Sequence, residues 1–266
     1  MNGSSAPSSG SPTSAPADAP TMPLVIAHRG ASADRRENTL EAFVEAEAQG
    51  ADGVELDVRL TSDEQLVLAH DPRLGDGTLI RSTTASGLRE IEALETLPDA
   101  LGVAPGIVNV EVKSDEPAEH LARRMKVLEL VLSDLARRPA GGRYVVSTFD
   151  LDILALLASM GCEWPTAYLT MGVPKPELAM DVAASMGCTA YNPWHPEVDR
   201  ALVDGAHDRG LEVWTWTVND LDAAVGLARL GVDALITDHP AAMRAHLADA
   251  GFVARDPADE AAAARG

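Results

Sequence analysis

Short apolar runs alternate with longer helical patterns along most of the chain. Eight of the apolar runs, rich in β-branched residues, predict strands: Leu24–His28, Gly53–Val58, Ile107–Lys113, Tyr144–Thr148, Thr166–Leu169, Thr189–Asn192, Glu212–Trp216 and Ala234–Thr237. Helices are predicted in the gaps, for example over Leu40–Ala48, Ala118–Ala136, Leu151–Ser159, Leu221–Arg229 and Ala241–Leu247. The chain therefore alternates strand and helix from one end to the other.

A further extended run, Gln65–His70, follows the second predicted strand too closely to be its parallel neighbour. A parallel connection needs a crossover of about a dozen residues or more, so we expect this run to be an excursion over the top of that strand. The segment Pro72–Gly106 behind it contains several Gly and Pro residues. It predicts loops, with at most a short helix from about Leu88, and no large inserted domain or long lid.

The joints between helix and strand repeat. The sequence of residues 158–162, Ala-Ser-Met-Gly-Cys, recurs at residues 184–188. Glycine after a helix is the usual left-handed cap, so successive units end with the same chemistry. Eight parallel strands with alternating helices predict an α/β fold, a (β/α)8 TIM barrel. An open doubly wound sheet is the competing fold, but no Gly-rich dinucleotide turn follows the first strand.

Composition sets the domain limits. Residues 1–21 are mostly Ser, Ala, Pro and Gly and predict a disordered leader, and the Ala-rich, charged residues 251–266 predict a flexible tail. We expect a single barrel domain over residues 22–250. No stretch reaches the roughly 18 uncharged apolar residues that a membrane-spanning helix needs, so no stable membrane insertion is expected.

Charge narrows the choice of partners. The chain has 21 Lys and Arg against 41 Asp and Glu, a formal net charge of −20. This balance argues against nucleic acid and against anionic membranes, which basic clusters bind. If the substrate is a phosphate, a bound cation is the obvious device to reverse the local field, and the carboxylates could supply its ligands.

The only two cysteines, Cys162 and Cys188, open the fifth and sixth predicted strands. Two cysteines in a chain of this size make no disulfide framework, so a reducing cytoplasm is the default compartment. We expect the pair to lie close together at the end of the barrel opposite the catalytic end. A disulfide is geometrically open to them, but two free thiols are expected.

Carboxylates gather at the carboxyl ends of the early strands, where a barrel of this type has its active site. Glu55 and Asp57 are two residues apart and face the same side of one strand, and Glu111 lies on the next parallel strand. Three converging carboxylates predict a site for a hard divalent cation, Mg²⁺ or Ca²⁺. The alternative is a purely structural ion-pair network with Arg29 and Lys113.

Two histidines accompany this cluster. His28 ends the first strand and His70 follows the extended run, and an imidazole titrates near neutrality, so we expect both to transfer protons. Arg29 has the planar fork that suits a phosphate oxygen. Glu37 precedes the first helix, for which Asn38 is a candidate N-cap; Glu37 either reaches the site or complements the helix dipole.

A family resemblance covers nearly all of the predicted barrel, from about Leu24 to Leu247. The sequence resembles the glycerophosphodiester phosphodiesterase family. The motifs that carry the resemblance are His28-Arg29-Gly30, Glu37–Phe43, Gly50–Val58, Val67–Asp71, Asn109–Lys113, Trp216–Asn219 and Gly231–Pro240. Several separate motifs in the right order are more specific than any one of them.

The resemblance implies a metal-dependent phosphodiesterase on a (β/α)8 barrel that converts glycerophosphodiesters to sn-glycerol 3-phosphate and an alcohol. In this sequence it implies metal binding by Glu55, Asp57 and Glu111, acid and base catalysis by His28 and His70, and phosphate binding by Arg29 and Lys113. Trp216 would form an apolar wall for the glycerol or headgroup, unless it is a core residue of the barrel. The partner is a small molecule, and a homodimer is left open.

Two departures from the family pattern lie in loops. Arg36 stands where the family often has Pro, and Asp63-Glu64 replaces an Asp-Gly turn. Three alternatives stay open: a phospholipase D-like enzyme acting on lysolipids, a metal-dependent aldolase or isomerase with Lys113 as a Schiff-base amine, and a non-catalytic phosphate-binding module. A loop-covered, open site predicts use of several water-soluble headgroups at rates within about tenfold of each other.

Overall fold

The computed structural model describes residues 19–114, 120–138 and 143–255. In these ranges the strands are β1 Leu24–His28, β2 Gly53–Leu60, β3 Leu66–Leu68, β4 Ile107–Val112, β5 Arg143–Thr148, β6 Thr166–Thr170, β7 Ala190–Pro193, β8 Glu212–Thr215 and β9 Ala234–Thr237. The helices are α1 Leu40–Ala48, α2 Ala85–Ile91, α3 Leu97–Val103, α4 Leu121–Ala136, α5 Leu151–Ser159, α6 Pro176–Ser185, α7 Arg200–His207, α8 Leu221–Leu230 and α9 Pro240–Asp249.

Eight of the strands form a closed parallel barrel. Hydrogen bonds connect them in the order β1-β9-β8-β7-β6-β5-β4-β2, and pairing of β1 with β2 closes the ring. The predicted (β/α)8 TIM barrel is confirmed, and the open doubly wound sheet is excluded. β3 pairs antiparallel with β2, with Val58 opposite Leu68, so the extended run is an excursion on the second strand, as predicted.

Both faces of the barrel strands are buried, which explains their nearly continuous apolar runs. One apolar cluster fills the inside of the barrel. Its members come from seven of the strands: Leu24, Ile26, Ile107, Val145, Ala167, Ala190, Trp214, Ala234 and Ile236. A larger cluster packs the outer face of the strands against the helices. The inner cluster closes the barrel below the strand ends and gives the site at the mouth a solid floor.

The segment after β3 is more structured than its sequence predicted. Two helices, α2 and α3, and a 3-10 turn at Ile80–Ser82 replace the expected loops. Thr84 caps α2 and Thr96 caps α3, each through its hydroxyl oxygen, and these caps offset the Gly and Pro breakers. A small apolar cluster then holds the segment against β3, formed by Val67, Leu74, Ile80 and Leu88.

The repeated joints between helix and strand contain the left-handed glycine that their sequence predicts. Gly161 and Gly187 follow α5 and α6 with φ of 65° and 76°, the left-handed conformation that glycine adopts without strain. Cys162 and Cys188 come next in the chain, and both are free thiols in the structure. Burial raises the pKa of each thiol.

The two ends of the described chain pair with each other beside the barrel. Thr21 and Val253 form a parallel bridge, and the amide of Met22 donates to the carbonyl of Val253 at 2.7 Å. Residues 1–18 and 256–266 lie outside the described residues, as does the predicted start of α4 at Ala118. The boundaries at 21/22 and 250/251 stay predictions. No helix in the described ranges is long and apolar enough to cross a membrane.

Candidate active site

The carboxyl ends of the barrel strands enclose a cleft of about 410 Å³. Most of the residues singled out in the sequence line it: His28, Arg29, Glu55, His70, Glu111, Lys113 and Trp216. Asp57 lies directly behind them, hydrogen bonded or ion paired to two of these side chains. The fold thus brings every predicted site residue to one mouth of the barrel.

Three carboxylates form the buried centre of the cleft. Glu55 and Asp57 are two residues apart on β2, so their side chains lie on the same face of the strand. Asp57 lies opposite Glu111 in the β2–β4 register. One oxygen of each carboxylate lies within 4.8 Å of the others, and all three residues are buried. Glu55 Oε1 has no hydrogen-bond partner among the described residues. An all-oxygen set with an unpartnered buried carboxylate oxygen fits a hard divalent cation.

The pKa values of the three acids reflect their burial and their mutual electrostatic repulsion. Burial, with Asp57 and Glu111 nearby, raises the pKa of Glu55 well above its usual value. Burial likewise raises the pKa of Glu111 to about 7, although Lys113 opposes the shift. Burial would also raise the pKa of Asp57, but Lys113 and Arg29 outweigh it and hold that pKa below its usual value. The cluster is short of positive charge.

Two cations line the cleft beside the acids. Lys113 Nζ lies 2.8 Å from Asp57 Oδ1 and 2.6 Å from Glu111 Oε1. Arg29 Nε lies 3.2 Å from Asp57 Oδ2, and its Nη1 donates to Glu37 Oε2 at 2.9 Å. The ion pairs of the predicted structural network therefore exist. The excess of carboxylates remains, because Glu55 accepts a single hydrogen bond within the described part of the chain, from the backbone N–H of Arg29 at 3.0 Å.

The turn between β1 and α1 shapes this side of the site. Asn38 is buried with φ of 56°, and its side chain donates to Asp57 Oδ2 at 2.8 Å and accepts from the Asp57 amide at 3.1 Å. The prediction that Asn38 caps α1 is wrong, since Thr39 Oγ1 accepts from the Ala42 amide instead. Glu37 reaches the site through Arg29.

His28 is oriented by Asp238, an acid that is distant from it in the sequence. Its Nδ1 lies 2.7 Å from Asp238 Oδ1, at the end of β9. Burial would raise the pKa of Asp238, but hydrogen bonds from His28 and Asn219 lower it to about 2. Asp238 is therefore a carboxylate that can only accept, so Nδ1 of His28 carries the proton, and Nε2 lies 3.5 Å from Thr217 Oγ1 at the cleft.

His70 has a similar arrangement in a more open position. Its Nδ1 lies 2.8 Å from Asp71 Oδ1. Buried Arg59 fixes the backbone here, because its Nε donates to the carbonyls of Ala69 and His70 at 3.1 Å. Burial, with Lys113 and Arg29 nearby, lowers the pKa of His70. The imidazole is therefore predominantly neutral near pH 7 and can accept a proton.

The opposite wall of the cleft is apolar. Trp216 follows β8, and its Nε1 donates to the carbonyl of Asn192 at 2.9 Å, which fixes the indole plane. Phe149 packs edge-on against it with ring centroids 5.3 Å apart. Trp216 also packs on the inner cluster of the barrel, so it both lines the cleft and belongs to the core, and its contact with the glycerol or headgroup stays a prediction.

Comparison with known proteins identifies the family. The model of the glycerophosphoryl diester phosphodiesterase family matches residues 28–242. The chain belongs to this family. A glycerophosphodiester phosphodiesterase of Caldanaerobacter subterraneus is 29% identical over 242 residues, which are 82% of this chain and 94% of that relative. The membership confirms the predicted family and the enzyme class, a phosphoric diester hydrolase. An aldolase or isomerase and a non-catalytic binding module are thereby set aside.

Solved structures of the family share the barrel. The glycerophosphodiester phosphodiesterase of Thermotoga maritima superposes with a TM-score of 0.70 at 27% identity, covering 84% of this chain and 97% of that chain. A phosphodiesterase of Oleispira antarctica, in complex with the product sn-glycerol 3-phosphate, gives a TM-score of 0.76 at 26% identity. It covers 85% of this chain and 97% of its own.

Sequence reasoning assigned no role to several residues that shape this phosphodiesterase site, although the motifs it identified contain most of them. Asp238 and Asn219 orient His28 from the far end of the chain, and Asn38 orients Asp57. Asp238 directly follows β9, so its position at a strand end was a usable signal. Phe149 directly follows β5 in the same way. Asn109 lines the cleft and was noted only as part of a motif.

Proposed function

We propose that this chain hydrolyses glycerophosphodiesters to sn-glycerol 3-phosphate and an alcohol, with Mg²⁺ or Ca²⁺ bound by Glu55, Asp57 and Glu111. One observation carries the proposal: a buried, acid-rich cluster lies in the same cleft as two histidines, each with Nδ1 on a carboxylate. The family membership of the chain and the product complex of the Oleispira antarctica relative support it.

The cation would be held by carboxylate oxygens alone. Glu55 Oε1 has no partner among the described residues, and the raised pKa values of Glu55 and Glu111 reflect missing positive charge. When bound, a divalent cation neutralises the negative charge on phosphate oxygens during displacement at phosphorus. Both Mg²⁺ and Ca²⁺ accept such ligands, so the donor set alone leaves the choice between them open.

Arg29 and Lys113 bind the phosphate in this proposal. Arg29 offers a planar guanidinium for two phosphate oxygens, and Lys113 offers a point charge. Both side chains line the cleft and are mostly buried, so they act in a medium that strengthens the attraction. Asp57 lies between them and sets their positions, since it contacts Nε of Arg29 and Nζ of Lys113.

The two histidines divide the proton transfers. His70, whose pKa is lowered, accepts the proton of the nucleophile, which is either water or the 2-hydroxyl of the glycerol. His28 donates a proton from Nε2 to the leaving alkoxide, while the Asp238 carboxylate accepts from Nδ1 and orients the ring. Both histidines line the cleft, and we assign one to each side of the phosphorus.

Compartment and headgroup range are further parts of the proposal. Two free thiols are compatible with a reducing cytoplasm. The substrate is a small molecule, and we expect glycerophosphocholine, glycerophosphoethanolamine and glycerophosphoglycerol to be used within about tenfold of each other in kcat/KM.

The test is a product assay. Purified protein with Mg²⁺ or Ca²⁺ is incubated with the three diesters and with a lysophospholipid, and released sn-glycerol 3-phosphate is measured enzymatically. We expect release from all three diesters by the wild type and a strong loss in His70→Ala. Release of choline from the lysophospholipid, without turnover of the soluble diesters, would contradict the proposal and favour the phospholipase D-like alternative.

A further inference from the structure

Asn109 is a buried side chain with unused hydrogen-bonding capacity. It lies in the middle of β4 and is 0% exposed, and neither its amide oxygen nor its amide nitrogen has a partner among the described residues. Buried polar side chains are normally hydrogen bonded, because burial removes the water that would otherwise pair with them. An amide with both atoms unpartnered is therefore completed by a bound group, either a ligand or an ordered water, or it destabilises the fold.

Its position indicates a ligand in the cleft. Asn109 is two residues before Glu111 on the same face of β4, and it lies opposite Glu55 in the β2–β4 register. It lines the cleft together with these two acids and with His28. The amide thus lies level with Glu55, one inward-facing position deeper into the barrel than Glu111 and two deeper than Lys113.

The chemistry of an amide selects the kind of group that it meets. Asn109 offers one acceptor and two donors and carries no charge. A phosphate oxygen can only accept a hydrogen bond, so it pairs with the amide nitrogen alone. A metal ion binds only the amide oxygen. An alcohol hydroxyl both donates and accepts, so it pairs with both atoms of the amide.

We propose that Asn109 binds a hydroxyl group of the glycerol portion of the substrate and thereby selects glycerol phosphates over simple alkyl phosphates. This inference rests on the proposed function, since it requires that the cleft accept a glycerophosphodiester. Charged neighbours already serve the phosphate, and the apolar wall of Phe149 and Trp216 offers no group that accepts from a hydroxyl toward the cleft. Thr217 also lines the cleft, but its hydroxyl lies 3.5 Å from His28 Nε2, so Asn109 is the neutral polar side chain there whose hydrogen-bonding atoms are both unused among the described residues.

The barrel supplies a matched control. Asn192 on β7 is also 0% exposed with both amide atoms unpartnered among the described residues, yet it is not among the residues that line the cleft. Its backbone carbonyl holds the indole of Trp216, and a side-chain substitution keeps that bond. Replacing Asn192 therefore repeats the structural change without removing a proposed contact to the ligand.

The experiment compares two phosphates by calorimetry in saturating Mg²⁺: sn-glycerol 3-phosphate and n-propyl phosphate, which lacks both hydroxyls. We expect the wild type and Asn192→Leu to bind sn-glycerol 3-phosphate about tenfold more tightly, and Asn109→Leu to bind both equally. Leucine branches at the same carbon as asparagine. Asn109→Ala is the second variant should overpacking prevent folding, which thermal unfolding will show. Mg²⁺ affinity should be unchanged in both Asn109 variants.

The following results would contradict the proposed role of Asn109. Equal binding of the two phosphates by the wild type, or an unchanged preference in the Asn109 variants, would overturn the role of Asn109. Weaker Mg²⁺ binding in those variants would overturn it in favour of a metal ligand. The proposed function is tested separately by turnover of glycerophosphocholine in the wild type, so a failure of the one is distinguishable from a failure of the other.

Discussion

The two halves of the barrel mouth differ in the residue that directly follows each of seven barrel strands; β2 is followed by the neutral Thr61. After β1, β4 and β9 this residue is charged: Arg29, Lys113 and Asp238. After β5, β6, β7 and β8 it is large and apolar: Phe149, Met171, Trp194 and Trp216. The charged half is largely buried and internally paired, whereas Phe149 is 41% exposed and Met171 is 60% exposed.

The difference indicates a division of labour. Charged groups lower the barrier only where they are held in place and shielded from water, and the charged half provides that environment. Apolar side chains exposed beside a cleft gain free energy when a ligand covers them. We therefore expect the charged half to determine the rate of the chemical step, and the apolar half to determine how firmly the substrate is held.

The largest effects are expected in the charged half. His28→Ala and His70→Ala should each lower kcat by about 10²-fold or more, the usual scale for loss of a general acid or base. KM should change much less, because neither histidine carries the charge that binds the phosphate. Steady-state kinetics on glycerophosphocholine measures both constants. Near-native kcat in both variants would end the assignment of proton transfer to these histidines.

Substitutions in the apolar half should change KM rather than kcat. Phe149→Ala removes an exposed ring and its edge contact with Trp216, so KM should rise roughly three- to tenfold with kcat nearly unchanged. Met160→Ala is the matched control, since Met160 is 38% exposed at the end of α5, away from the mouth. A loss of kcat in Phe149→Ala with constant KM would show that the halves are not separate in function.

A smaller effect concerns stability without metal. The pKa of Glu111 is raised to about 7 in the folded chain, above its value of 4.5 when unfolded. The folded state therefore holds this proton more tightly, and the resulting stability is present below pH 4.5 and is lost as pH rises toward 7. In chelator, the unfolding free energy of the wild type relative to Glu111→Gln should fall from pH 5 to pH 8, on the order of 1 kcal/mol or more.

The comparison with Glu111→Gln removes this group together with its contribution to the raised pKa of Glu55, and both changes act in the same direction. The pKa of His70 is lowered, so His70 works in the opposite direction, but it is present in both proteins and cancels. Loss of the Glu111 contact to Lys113 shifts the variant by a constant amount over this pH range. Urea unfolding at each pH provides the measurement, and a difference that stays constant from pH 5 to pH 8 would contradict the raised pKa.

Local patterns were sufficient to predict the barrel and the acids. β1, β9, α1 and α5 begin and end at the predicted residues, because buried strands and capped helices leave a strong local signal. Glu55, Asp57 and Glu111 converge because residues two apart share a face and neighbouring parallel strands end at the same mouth. These rules need no knowledge of distant contacts.

Other features depended on contacts or caps that the patterns did not weigh. Asp238 meets His28 from 210 residues further along the chain, and no local pattern gives that distance. For α3, the Thr96 hydroxyl accepts from the Asp99 amide and donates to its carboxylate, and Pro98 lies in the first turn, where a proline costs no helix hydrogen bond. Asn38 does not cap α1, because its side chain is hydrogen bonded to the carboxylate and the amide of Asp57. Thr39 caps the helix instead.

The central claim is that the buried acids serve a divalent cation and that the chemistry depends on it. The direct measurement is glycerol 3-phosphate release by chelator-treated protein before and after addition of Mg²⁺ or Ca²⁺, with Glu55→Gln alongside. We expect no turnover without metal, recovery in the wild type, and no recovery in the folded variant at the same metal concentration. Turnover by demonstrably metal-free wild-type protein would contradict the account.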